Sequence, residues 1–75
     1  MDAKALEAAI KFLLAEMHRR LEKAATIAKA AQVCAEAGSI TKAVEIALDI
    51  EQLNYESGNL LNAASTLNHA ADADA

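Results

Sequence analysis

The chain has 75 residues, enough for one domain at most, and 55% of them are hydrophobic while only 3% are aromatic. Its formal charge is −4, and its single cysteine excludes an intrachain disulfide bond. Residues 37–75 carry one basic and six acidic side chains. This imbalance disfavours nucleic acid as a partner, because phosphate binding needs a concentrated basic face. The longest run of large apolar residues, Phe12–Leu14, is too short to span a membrane. One cysteine and no secretory signal lead us to expect a cytoplasmic location.

The first half of the chain is predicted to be one long helix over residues 2–37. It contains neither Gly nor Pro, and apolar residues recur there at alternating steps of four and three. The seam that these steps trace is coiled-coil-like and is interrupted only by Arg20. Its apolar members are Leu6, Ile10, Leu13, Met17, Ala24, Ile27, Ala31 and Cys34. A bend near residues 18–23 stays open as an alternative, which would let the chain close into a four-helix monomer.

Two glycines, each followed by a residue that can cap a helix, predict two turns. Gly38 precedes Ser39, and twenty residues later Gly58 precedes Asn59. We therefore predict further helices over residues 40–56 and 60–71. The expected fold is all-α, with residues 1–75 as a single small domain. It is a three-helix antiparallel arrangement with a long N-terminal helix and two short Gly-capped hairpin turns, and we expect a helical-bundle dimer.

The stretch around the first turn resembles a tetratricopeptide-type αα-hairpin over roughly residues 27–50. The small and apolar residues that carry the resemblance are Ala31, Cys34, Gly38, Ile40, Ala43, Val44 and Ala47. The internal spacing of twenty residues differs from the period of about 34 in that family. The resemblance therefore implies shared hairpin geometry, and we carry over no peptide-binding residues.

Helix lengths suggest where a partner would bind. A helix of 35 residues runs about 52 Å, and one of 17 residues about 26 Å. If the second helix folds back along the Ala-rich part of the first, the N-terminal half of the first helix projects with its apolar residues uncovered. Such a stripe marks an interface, and we expect a homodimer or a helical protein partner to cover residues 3–21. The predicted interface residues are Leu6, Ile10, Phe12, Leu13, Leu14, Met17 and Leu21.

No arrangement of reactive side chains predicts catalysis, a cofactor or a metal ion. Cys34 lies on the seam, and Glu36 near it has the wrong charge to stabilise a thiolate. His69 and Asp72 lie one helical turn apart, whereas a metal site needs three or four ligands. We therefore expect a non-enzymatic interaction module without a small-molecule substrate. The alternative is a tetratricopeptide-like adaptor that grips a helix or peptide between its second and third helices, rimmed by Asp49, Glu51 and Glu56.

Overall fold

A computed structural model describes residues 2–74 of the chain, and the side chains of residues 2–72. It contains three helical segments: α1 over Ala3–Glu36, α2 over Ile40–Leu48 and α3 over Ile50–Asp74. The predicted all-α class is confirmed for the described residues. Met1 and Ala75, the two ends of the predicted 1–75 domain, lie outside them.

Helix α1 is continuous, and the predicted alternative of a bend near residues 18–23 is wrong. Asp2 caps its start, because its backbone is extended and its side chain accepts a hydrogen bond from the Lys4 amide at 3.4 Å. Along the charged stretch, Glu16 pairs with Arg20 at 3.1 Å and Glu22 pairs with His18 at 3.3 Å. Pairs four residues apart support a helix that also lacks Gly and Pro.

Gly38 makes the turn that follows α1. Its φ of 94° is the left-handed conformation that glycine adopts without steric cost. The Gly38 amide donates to the Ala35 carbonyl at 2.9 Å, and the Ser39 amide donates to the Cys34 carbonyl at 3.1 Å. These two bonds form a Schellman motif, which satisfies carbonyls that the end of the helix leaves free. Ser39 then precedes α2, although its side chain makes no capping hydrogen bond.

The predicted second turn at Gly58 and Asn59 is wrong, and so are the predicted helices over 40–56 and 60–71. Helix α3 passes through both residues without interruption. Over residues 40–74 the helical pattern is interrupted at Asp49 alone, whose amide donates to the Ile46 carbonyl at 3.2 Å. Together α2 and α3 form one bent helix, which we call the second arm.

Burial along the second arm explains why Gly58 does not break it. Residues that face α1 recur at steps of four and three straight through the glycine, at Leu53, Ser57, Leu60, Ala64 and Leu67. A glycine inside a helix costs about 1 kcal/mol relative to alanine. Ending the helix there would remove several side chains from α1, and each large one stabilises the fold by about 1.5–3 kcal/mol when fully buried.

The result is an antiparallel hairpin of two arms, and the predicted three-helix arrangement is wrong. Helix α1 has 34 residues, and the second arm consists of a helix of 9 residues followed by one of 25. The Cα atoms extend over 56 × 14 × 12 Å, about the length and width of two helices side by side. The N-terminal half of α1 therefore does not project past a shorter partner, because α3 covers one side of it.

The core of the hairpin is a narrow seam of mostly small residues. Its buried members among the described side chains are Leu6, Ala24, Ala31, Ala43, Ser57 and Ala64. None of the large side chains described is less than 2% exposed. The Ser57 hydroxyl is buried without a hydrogen-bond partner among the described residues. Two arms alone thus leave most large apolar side chains in partial contact with water.

Candidate interaction surface

The predicted interface residues divide into two groups in the structure. Leu6 is only 2% exposed, and Ile10, Leu13 and Met17 are half-buried along the seam. These four face the second arm of their own chain. Phe12, Leu14 and Leu21 are exposed, and Phe12 most of all at 64%. The seam that was expected to meet a partner is thus largely occupied within the chain, while its flanking residues remain accessible.

One broad side of the hairpin, which we call the apolar face, combines small and large apolar residues from both arms. Near the turn it forms an open groove of about 350 Å³ between α1 and α2. Eight of the nine residues that line this groove are apolar, and the ninth is Gln32. Ala28 and Ala35 contribute from α1, and Ile40, Val44 and Ala47 contribute from α2.

The apolar face continues from the groove toward the open end of the hairpin. Residues seven apart lie on the same side of a helix, since seven residues make close to two turns. Leu14 and Leu21 therefore extend the stripe of Ala28 and Ala35 along α1. On the second arm, Asn54 and Leu61 lie seven and fourteen residues beyond Ala47, so one polar residue separates Leu61 from the groove. All the large residues of this face are exposed by 42–60%. The face comprises Leu14, Leu21, Ala28, Ala35, Ile40, Val44, Ala47 and Leu61.

The opposite side, which we call the charged face, carries an ion-pair network across the two arms. The Arg20 Nε donates to Glu56 Oε1 at 3.0 Å, and Arg20 Nη1 donates to Glu16 Oε1 at 3.1 Å. Gln52 Nε2 donates to the other oxygen of Glu56 at 3.0 Å. Two shallow depressions lie here, lined also by Lys23 and Leu53, and they share no residue with the apolar groove.

The network changes the acidity of its members. Hydrogen bonding from Arg20 is the main cause that lowers the pKa of Glu16. The pKa of Glu56 is also lowered, chiefly by the Gln52 amide and then by Arg20. The two carboxylates raise the pKa of Arg20 in turn. Arg20, the one charged residue of the seam, thus has both of its carboxylate partners within the chain.

The groove expected for the adaptor alternative is absent from the described part of the chain. The predicted second and third helices, over residues 40–56 and 60–71, are successive parts of the second arm, so they enclose no cleft between them. The expected acidic rim is divided as well. Glu56 is bound to Arg20 across the hairpin and lines a depression of the charged face together with Asp49, whereas Glu51 lines neither of the two depressions there.

The reactive side chains lie apart from one another. Cys34 is half-buried, and its Sγ contacts the Ser39 carbonyl oxygen at 3.6 Å. No group of three or more His, Cys, Asp or Glu side chains in the described residues is placed to hold a metal ion. No helix among these residues combines the length and the apolar character needed to cross a bilayer.

Comparison with known proteins yields no relative. No family profile, curated protein or solved structure matches the chain significantly. The apolar face must therefore be interpreted from its own geometry. The sequence does contain a signal for this face: Leu14, Leu21, Ala28 and Ala35 recur every seven residues beside the seam. Which side of the hairpin this stripe lies on follows only from the position of the second arm.

Proposed function

We propose that the chain is a non-enzymatic interaction module that self-associates through its apolar face. The observation that carries this proposal is the exposed area. The chain exposes 5343 Å². A compact monomer of 7.9 kDa exposes about 4,400 Å². The excess of roughly 900 Å² is close to the ~800 Å² that each partner buries in a standard protein interface.

The composition of the exposed area supports a second copy as the occupant. Among the residues that the structure describes, nine large hydrophobic ones are exposed, and five of them lie on the apolar face, namely Leu14, Leu21, Ile40, Val44 and Leu61. Two hairpins that stack these faces form a four-helix bundle, the arrangement that gives short amphipathic helices a common core. A small domain without disulfide bonds commonly gains the burial it lacks by oligomerising.

The proposal modifies the predicted interface. Leu14 and Leu21 remain in it, whereas Leu6, Ile10, Leu13 and Met17 contribute by holding the hairpin together. Phe12 lies outside it, because it is seven residues from Arg19, which lines the charged face. The single Cys34 fits a reducing compartment, so a cytoplasmic location remains part of the proposal.

Sedimentation equilibrium over a range of concentrations tests the proposal. We expect a mass of twice 7.9 kDa at tens of micromolar, and on dilution a fall in mass accompanied by a loss of helical circular dichroism. A mass of 7.9 kDa at every concentration with full helicity would overturn self-association, and the apolar face would then be assigned to a different protein.

A further inference from the structure

The apolar face changes character along the length of the hairpin. Toward the open end it carries large side chains at Leu14, Leu21 and Leu61, which we call the leucine ridge. Toward the turn it carries a groove with a small-residue floor, which we call the alanine groove. The alanines of this groove are Ala28, Ala31, Ala35, Ala43 and Ala47. Along α1, one half of the face thus carries large side chains and the other half small ones, while Ile40 and Val44 of the second arm border the groove.

Resting on the proposed self-association, we propose that the two copies pair with their turns at opposite ends. Each leucine ridge then fills the alanine groove of the other copy. A two-fold axis that lies in the interface, perpendicular to the long axis of the hairpin and beside Ala24 and Ala25, produces this pairing twice, as an isologous interface requires. It brings helix α1 of one copy antiparallel to α1 of the other.

The spacing along α1 matches in this arrangement. Leu14 and Leu21 are seven residues apart, as are Ala28 and Ala35, so both pairs span about 10.5 Å along the helix axis. Rotation about the axis therefore places Leu21 against Ala28 of the second copy and Leu14 against Ala35. Each contact pairs a large side chain with a small one, which is how well-packed helix interfaces interdigitate.

The second arm meets the same axis at the matching level. The bond between Arg20 and Glu56 fixes how the arms align, and it puts Ala24 and Ala25 opposite residues 51–52. The midpoint between Ile40 and Leu61 lies within about one residue, or 1.5 Å along the helix, of residues 51–52. The same rotation thus brings Ile40 of one copy against Leu61 of the other. This is an apolar contact between two large side chains, so the pairing of large with small residues is a property of the α1 contacts, and the second arm contributes a matching position of the axis.

Pairing with the turns at the same end fits the face less well. There Leu14 would meet Leu61 of the second copy, while Ala28 would meet Ala47. The match of large with small residues along α1 would be lost, because Leu21 would lie against the polar Asn54 and only Ala35 would meet a large residue, Ile40. Both overpacking and cavities destabilise an apolar interface.

Distances between spin labels distinguish the two orientations. Cys34→Ala removes the native thiol, and Glu22→Cys or Glu36→Cys then adds one label site per chain. These two glutamates are both exposed and lie fourteen residues apart on the same stripe of α1, away from the seam. With turns at opposite ends, the axial separation between copies is about 7–8 Å at residue 22 and about 35 Å at residue 36.

We therefore expect the pulsed dipolar distance to be longer for the residue 36 label than for the residue 22 label by more than about 10 Å, allowing for the lateral offset of the helices. Equal distances at the two sites would overturn the opposed orientation while leaving self-association standing. The absence of any dipolar signal in folded, helical samples at tens of micromolar would overturn the proposed function itself. Circular dichroism of each labelled variant establishes that it is folded.

Discussion

The two broad faces of the hairpin differ in whether their side chains find partners within the same chain. On the charged face, Arg20 bridges Glu16 and Glu56 across the arms, and Gln52 completes the network. On the apolar face, large side chains such as Ile40 and Val44 remain exposed by more than half. The comparison suggests that the charged face fixes how the arms align and that the apolar face governs association with a second chain.

This division follows from how the two kinds of interaction act. An ion pair that is hydrogen-bonded at both ends specifies one alignment of the arms, because a shift by one turn would separate its members. Apolar area is non-directional, so it contributes free energy wherever water is excluded. A two-helix hairpin cannot exclude water from both sides of its seam, and the uncovered apolar side is left to a partner.

The largest expected effect is on the dissociation constant of the dimer, when a charge is placed on the apolar face. Val44→Glu puts a carboxylate into the proposed interface, where burial without a partner is strongly unfavourable. We expect it to weaken dimerisation by roughly 100-fold or more, since about 2.7 kcal/mol corresponds to that factor. Sedimentation equilibrium measures the change in dissociation constant.

Val33→Glu is the matched control for this variant. Val33 is 53% exposed and Val44 is 55% exposed, so the two substitutions differ mainly in which side of the hairpin they alter. Val33 lies fourteen residues from Arg19, on the side of the charged face. We expect its dissociation constant to stay within a few-fold of the original. Equal weakening by both variants would show that association does not depend on the apolar face.

The two glycines should respond in opposite ways to alanine. Gly58→Ala is expected to raise the free energy of unfolding by about 1 kcal/mol, because the residue is inside α3 and a Cβ there meets nothing within 4 Å. Gly38→Ala should lower it by about 1–2 kcal/mol, since its φ of 94° strains any side chain. Chemical denaturation at fixed protein concentration measures both changes. A lower free energy of unfolding for Gly58→Ala would contradict the continuous helix and support the turn predicted at Gly58.

The smallest expected effect is the response of the charged face to acid. Because folding lowers the pKa values of Glu16 and Glu56 from their ordinary 4.5, their contribution is complete above that pH and is lost as the pH falls through the lower folded values. The thermal midpoint should therefore decline below about pH 4.5. The double variant Glu16→Gln and Glu56→Gln should show a shallower decline, and an identical one would mean that the network does not contribute.

The sequence was sufficient to predict α1 and the turn at Gly38, because both depend on local signals that agree. A seam interrupted only by Arg20 runs from Leu6 to Cys34, and Gly38 occupies the next position of that seam. It was misleading at Gly58, where the same local signal opposes a seam that continues from Leu53 through Leu60 to Leu67. Packing against α1 overrides the propensity of a single glycine, and no local pattern states that outcome.

The error at Gly58 also explains the error in the predicted interface. A short second helix would have left Leu6 and Leu13 uncovered, so they were assigned to a partner. With the second arm extended through Gly58, those residues face their own chain. Phe12, Leu14 and Leu21 stay exposed, and the last two lie on the apolar face. Which stripe of a helix lies inside a subunit depends on the length of the neighbouring helix, and the predicted length was too short because Gly58 was taken as a helix end.

Isotope-filtered nuclear Overhauser spectroscopy tests most directly whether a second copy covers the apolar face. In a mixture of isotope-labelled and unlabelled chains, the filter selects cross-peaks between different copies and removes those within one copy. We predict intermolecular cross-peaks from the methyl groups of Leu14, Leu21, Ile40, Val44 and Leu61, and none from Val33. Cross-peaks confined to Val33 and the charged face, or no intermolecular cross-peaks in a sample of folded chain at millimolar concentration, would contradict the account.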